Sequence, residues 1–136
     1  MAAVSVNANM IQVDALAANL SGIGARLRPV LRATISKGAL NIKNDAKARI
    51  LAQSRHLYVK QYPNSITYDL KALGTTVSAE IGPDKNKPQG DLGNILEFGA
   101  PGHNAPMPHL IPAFSAEIPN TEVWLAKAAE DAVLGI

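Results

Sequence analysis

The chain has 136 residues, 47% of them apolar and 18% charged, with a formal net charge of +2 and no cysteine. That length and balance exclude a disordered chain and leave little room for two domains, so a single globular domain over 1–136 is expected. The absence of cysteine excludes disulfides, thiolate metal sites and cysteine nucleophiles.

Aromatic residues make up only 4%, so alanine, leucine and isoleucine must supply most of the core, and contacts between subunits would be a natural supplement. The apolar runs are short and interrupted, and none has the length needed to span a bilayer. The N-terminus MAAVSVNANM lacks the basic start and apolar centre of a secretory signal. The expectation is a soluble protein that works where it is made.

Charge is distributed unevenly. Between residues 26 and 55 lie Arg26, Arg28, Arg32, Lys37, Lys43, Lys47, Arg49 and Arg55 against Asp45 alone. From Glu80 onward the sign reverses, with Asp84, Asp91, Glu97, Glu117, Glu122, Glu130 and Asp131 against Lys85, Lys87 and Lys127. Such polarity suits a basic face towards nucleic acid, or one copy's acidic face meeting the next copy's basic face, or two ordinary solvated helix surfaces.

In chain order, MIQVDALAANLSGIG (10–24) carries Val13, Leu16, Leu20 and Ile23 at helical spacing. It predicts a peripheral N-terminal helix within 1–25, ahead of a core over 26–136. Gly22, Gly24 and Pro29 then leave a kink or a true break open, with Pro29 fitting the first turn of a second helix. In that helix Leu31, Ile35, Ala39, Ile42, Ala46 and Ile50 form one stripe, ending near Ser54. Gly38 inside it suggests close approach of another backbone.

RHLYVKQYPN (55–64) reads as a connection. SITYDL alternates, with Ile66, Tyr68 and Leu70 on one side; TTVSAEIG alternates through Val77, Ala79 and Ile81. A short turn around Lys71–Gly74 makes the two a β-hairpin. PDKNKPQG (83–90) reads as an exposed, mobile loop. Leu92, Ile95, Leu96 and Phe98 suit one or two helical turns ended by Gly99. Pro101, Pro106 and Pro108 stiffen the loop that follows. Leu110, Phe114, Ile118, Thr121, Leu125, Ala128 and Ala132 predict a closing helix, bent or restarted at Pro119, with Trp124 beside its stripe as core or interface. The layout is α+β: N-terminal helices and a C-terminal helix on a small, mainly antiparallel sheet containing a hairpin.

Chemical signatures are scarce. His103 and His109 lie in one loop, but their spacing does not match the usual zinc patterns, and no metal or cofactor is expected. No nucleophile elbow and no phosphate-binding glycine loop is present; GIGARL (22–27) follows a helix, not a strand. The basic 26–55 helix could contact phosphates, yet it has no interleaved aromatics and no recognition motif.

The segments KGALNIKNDAKARI, SITYDL, VSAEIGP, NILEFGA and APMPHLIPAF, in this order and spacing, resemble the HK97 gp10-like family of phage tail-component proteins. IGPDKNKPQGDLGNILEFG is similar to members from actinobacterial siphophages, and the resemblance covers about residues 30–135. It implies a non-enzymatic virion protein, made in the host cytoplasm, in the neck or tail-completion region between head and tail. It also implies a homo-oligomeric, six-fold ring around the DNA path. Neighbouring neck proteins (head closure, tail terminator or tail tube) would be its partners, with no membrane and no small-molecule substrate. A tail terminator capping the tube and a DNA-binding accessory protein are the alternatives. The candidate structural and interface residues are Glu97, Phe98, Gly99, Pro106, Pro108, Phe114 and Trp124, with Phe98 expected in the core. Arg28, Arg32, Lys37, Lys43, Lys47 and Arg49 would form a basic surface towards DNA or a neighbouring subunit.

Overall fold

A computed structural model of the chain describes residues 4–9, 23–54, 59–73 and 76–135. Strand β1 (Val4–Asn9) is followed by helix α1 (Ile23–Gln53), strands β2 (Ile66–Leu73) and β3 (Thr76–Pro83), a short helix α2 (Gly93–Phe98) and helix α3 (Leu110–Leu134). The expected α+β class is observed.

The hairpin forms with Tyr68 opposite Ile81 and Leu70 opposite Ala79, and its last pair is Leu73 with Thr76. The sheet has a third strand. β1 pairs antiparallel with β3 in the order β1-β3-β2, with Val4, Val6 and Ala8 opposite Ile81, Ala79 and Val77. The strand over 4–9 precedes the segment 10–24 on which the N-terminal helix is expected, and residues 10–22 of that expectation lie outside the described residues.

Helix α1 crosses all three strands, and α3 lies along α1 and meets the sheet at β1. The whole predicted stripe of α1, Leu31 to Ile50, is buried, and Leu27 extends it by one turn towards the N-terminus. The helix therefore begins at Ile23 and runs through Pro29 without a break. Proline removes one backbone donor, but Leu27 and Leu31, each at most 4% exposed, anchor the chain on both sides of it. Packing overrides the local preference. Fully burying each such side chain contributes about 1.5–3 kcal/mol.

The two long helices run antiparallel. Gln53 Nε2 donates to the Pro108 carbonyl, Asn41 Nδ2 to Glu117 Oε1, and Arg26 reaches Gly135 at the far end. Between them Gly38 meets the side chain of Thr121, where a Cβ on residue 38 would sit 2.9 Å from Oγ1. The close approach expected at Gly38 is thus to a side chain. α3 is likewise unbroken at Pro119, and its buried line is Leu110, Ala113, Glu117, Thr121, Ala128 and Ala132. Phe114, Ile118 and Leu125 are only partly buried. Gly135, at φ +76°, ends the helix with its N–H on the Asp131 carbonyl.

The 83–90 segment is pinned rather than loose. The Asp84 N–H donates to the Ser65 carbonyl, the Lys87 N–H to the Asp84 carbonyl, and the Gly90 N–H to the Lys87 carbonyl. Gln89, with φ +62°, accepts from the backbone N–H groups of Gln61 and Tyr62 through Oε1. Lys85 to Pro88 form its exposed tip.

Candidate functional site

A connected set of buried hydrogen bonds joins α2 to the start of α3. Leu96 and Glu97 turn inward from α2, and the Met107 N–H donates to the Leu96 carbonyl at 2.8 Å. Glu97 is 2% exposed. Its carboxylate accepts the backbone N–H of His109 at 3.0 Å on Oε2 and that of Leu110 at 2.7 Å on Oε1. The first amides of a helix have no partner within it, and they carry the positive end of its dipole. A carboxylate there satisfies both needs, although it comes from a different helix.

His109 fills the space beneath. It is fully buried, with Nδ1 2.8 Å from the Met107 carbonyl and Nε2 2.7 Å from the Tyr62 hydroxyl. A carbonyl only accepts, so Nδ1 carries the proton, and Nε2 accepts from Tyr62 O–H. Burial lowers the His109 pKa from 6.5 and keeps the ring neutral, against smaller opposite effects of the Met107 carbonyl and the Glu97 charge. Burial, and then the Glu97 charge, push the Tyr62 hydroxyl well above its ordinary value of 10.0. The two rings meet edge to face at 5.4 Å.

Tyr62 is held in turn by the 3-10 turn Tyr62–Ser65, where Ser65 Oγ donates to the Tyr62 carbonyl at 2.6 Å. Tyr62, Glu97 and His109 look like components of a proton relay, but all three are sealed from solvent and each polar atom is occupied by a neighbour. Their arrangement is a clamp. It joins the turn before the hairpin, α2 and the start of α3. His103, the other loop histidine, is exposed. Among the described residues no group of three or more histidine or acidic side chains is placed to hold a metal ion.

The Glu-Phe-Gly step divides sharply. Glu97 points in, while Phe98 is 58% exposed, the reverse of the core position expected from its hydrophobicity. The inward place beside the α3 amides requires a hydrogen-bond acceptor, and with Gly93, Leu96 and Glu97 forming the buried face of α2, Phe98 falls on its outer side. Gly99 follows at φ +81°, with its N–H on the Ile95 carbonyl, and a Cβ there would lie 2.8 Å from the Pro106 nitrogen. Glycine is required at this position for both reasons. Ala100 and Asn104 then bridge to each other, and Asn104 Nδ2 donates to the Ile95 carbonyl at 3.1 Å. Pro101, Pro106 and Pro108 are exposed.

The remaining predicted residues do not gather here. Phe114 is half-buried against the core, and Trp124 is half-buried with Lys37 Nζ 5.9 Å from its ring centroid. Arg28, Arg32 and Lys37 are exposed on α1, Lys43 and Lys47 partly so, and Arg49 pairs with Asp45 at 3.1 Å one turn away. The acidic C-terminal helix packs on this same basic helix within one chain, through Asn41–Glu117 among other contacts. Sequence reasoning missed Tyr62 and the clamp role of His109. The available signal was Glu97, an acid inside an apolar run, which asks for buried donors.

No family model matches the chain, and no curated protein or solved structure is significantly similar to it. No helix among the described residues is long and apolar enough to cross a membrane.

Proposed function

We propose that the protein is a non-enzymatic structural subunit of the phage head–tail connector region, assembling as a ring in the neck or tail-completion position around the DNA path. The observation that carries the reading is the division of the Glu-Phe-Gly step. Its acid is spent on internal bonding, and its aromatic ring is left on the surface, with Glu97 at 2% and Phe98 at 58% exposure. A large apolar side chain displayed by a rigid, fully bonded junction is suited to a partner surface. The order of motifs supports the same reading, since the resemblance to phage tail-component proteins rests on five segments in sequence, of which this step and the proline loop after it are two. The exposed cations Arg32 and Lys37 on α1 suit a surface close to DNA without base-specific recognition.

The test is the mass and shape of the purified full chain, by sedimentation and negative-stain imaging, together with mass spectrometry of purified virions. Closed rings, or the chain as a stoichiometric virion component, are expected. A chain that stays monomeric at every concentration and is missing from virions overturns the reading.

A further inference from the structure

The sheet is open along β2. In the order β1-β3-β2 the inner strand is β3, so β2 has a paired neighbour on one side alone. Among the described residues no backbone hydrogen bond reaches its outer side. The free N–H and C=O groups of an edge strand bind one kind of partner, another extended backbone. Folds commonly block such an edge with proline, a bulge or several lysines. ITYDLKAL has no proline, an unbroken register with β3 and one lysine. The opposite edge strand, β1, is met by α3 and carries no charged residue.

The side chains of β2 are as incomplete as its backbone. Asp69, Lys71, Ala72 and Leu73 are exposed, and Tyr68 and Leu70 are only partly buried against the core. Asp69 lies directly opposite Glu80 on β3, so two like charges face each other. Lys71 Nζ is 3.9 Å from Glu80 Oε2, and among the described residues no cation pairs with Asp69.

We propose that β2 pairs antiparallel with β2 of a second copy, about a twofold axis at Leu70, joining the two sheets into one. In that register Leu70 meets its own counterpart and Tyr68 meets the second copy's Ala72, all on the side covered by α1. On the other side Asp69 meets the second copy's Lys71, and Lys71 meets its Asp69. Directly opposed residues of an antiparallel pair share a face, so an axis between two residues would set apolar side chains against charged ones. An axis at Asp69 or at Lys71 would oppose like charges. Only the axis at Leu70 satisfies both faces. The lysine that would otherwise guard the edge then supplies the cation that Asp69 lacks. A twofold contact closes at two copies, whereas a ring joins two different surfaces, so the pairing stands independently of the ring reading. One strand edge is a small interface, and the dimer should be weak and reversible.

The experiment follows self-association of the full chain by sedimentation equilibrium at low salt, for wild type, Asp69→Lys, Lys71→Asp and the double variant. Both positions are exposed, and circular dichroism should show every variant folded like wild type. Wild type should dimerise as concentration rises. Each single reversal opposes like charges twice and should weaken the dimer about tenfold. The double variant should recover the wild-type constant, and the two single variants mixed should form a one-to-one heterodimer. Leu70→Cys, in a chain with no other cysteine, should give a disulfide-linked dimer on oxidation. Wild type that stays monomeric overturns the inference. Association that ignores the single reversals, or that the double variant fails to recover, also overturns it. Rings formed alike by wild type and all variants overturn the pairing and leave the ring reading standing.

Discussion

The Glu97 carboxylate and the His109 backbone N–H, 3.0 Å apart across two helices, fix the angle at which the closing helix leaves the loop. Leu110 shares the same carboxylate at 2.7 Å. Glu97→Ala would leave two buried amides without a partner, each worth about 1–3 kcal/mol when charge-assisted bonding is lost. Glu97→Ala should therefore destabilise by about 3 kcal/mol in urea unfolding. Glu97→Gln, whose amide oxygen still accepts, should cost about half as much.

The clamp also sets the pH range of stability. His109 has a folded pKa below its unfolded value of 6.5, so the unfolded chain takes up the proton first as pH falls. Its contribution is complete above pH 6.5 and is lost as pH falls from there towards the folded pKa, by about 1.4 kcal/mol per pH unit for one proton. Tyr62 behaves in the opposite sense. Its folded pKa lies above 10.0, so its contribution is complete below pH 10.0 and is lost as pH rises beyond it. Unfolding free energy measured across pH should form a plateau between these limits. Tyr62→Phe should remove the alkaline fall and lower the plateau by about 1–3 kcal/mol, since His109 Nε2 loses its buried donor.

Gly99→Ala tests the turn after the Glu-Phe-Gly step. A left-handed backbone costs a side-chain-bearing residue roughly 1–2 kcal/mol, and the new Cβ would press on the Pro106 ring. Thermal unfolding should show a loss of about 2 kcal/mol or more, whereas Gly102→Ala, also at positive φ but with open space around it, should cost only the backbone strain.

Gly38 and Thr121 should be energetically coupled. The Thr121 hydroxyl is buried with no hydrogen-bond partner, and it occupies the space that a Cβ on residue 38 would need. In the wild-type background Gly38→Ala should stabilise little or destabilise. With Thr121→Ala already present, the same change should add about 1 kcal/mol through helix propensity. A double-mutant cycle by denaturant unfolding reads the coupling directly, and strict additivity would refute it.

What the residues dictate alone is local. The apolar stripe of α1, the alternation of Ile66, Tyr68 and Leu70 against Val77, Ala79 and Ile81, and the short helix ended by Gly99 are all legible, because each follows from periodicity or from the special backbone of glycine. Tertiary contacts decided the rest. VSVNAN becomes a strand because β3 offers it a free edge, and six residues carry too little pattern to announce that alone. Pro29 stays helical because Leu27 and Leu31 are buried on both sides of it. Glu97 turns in and Phe98 turns out because two helical amides, distant in sequence until the chain folds, require a hydrogen-bond acceptor more than the core requires another ring.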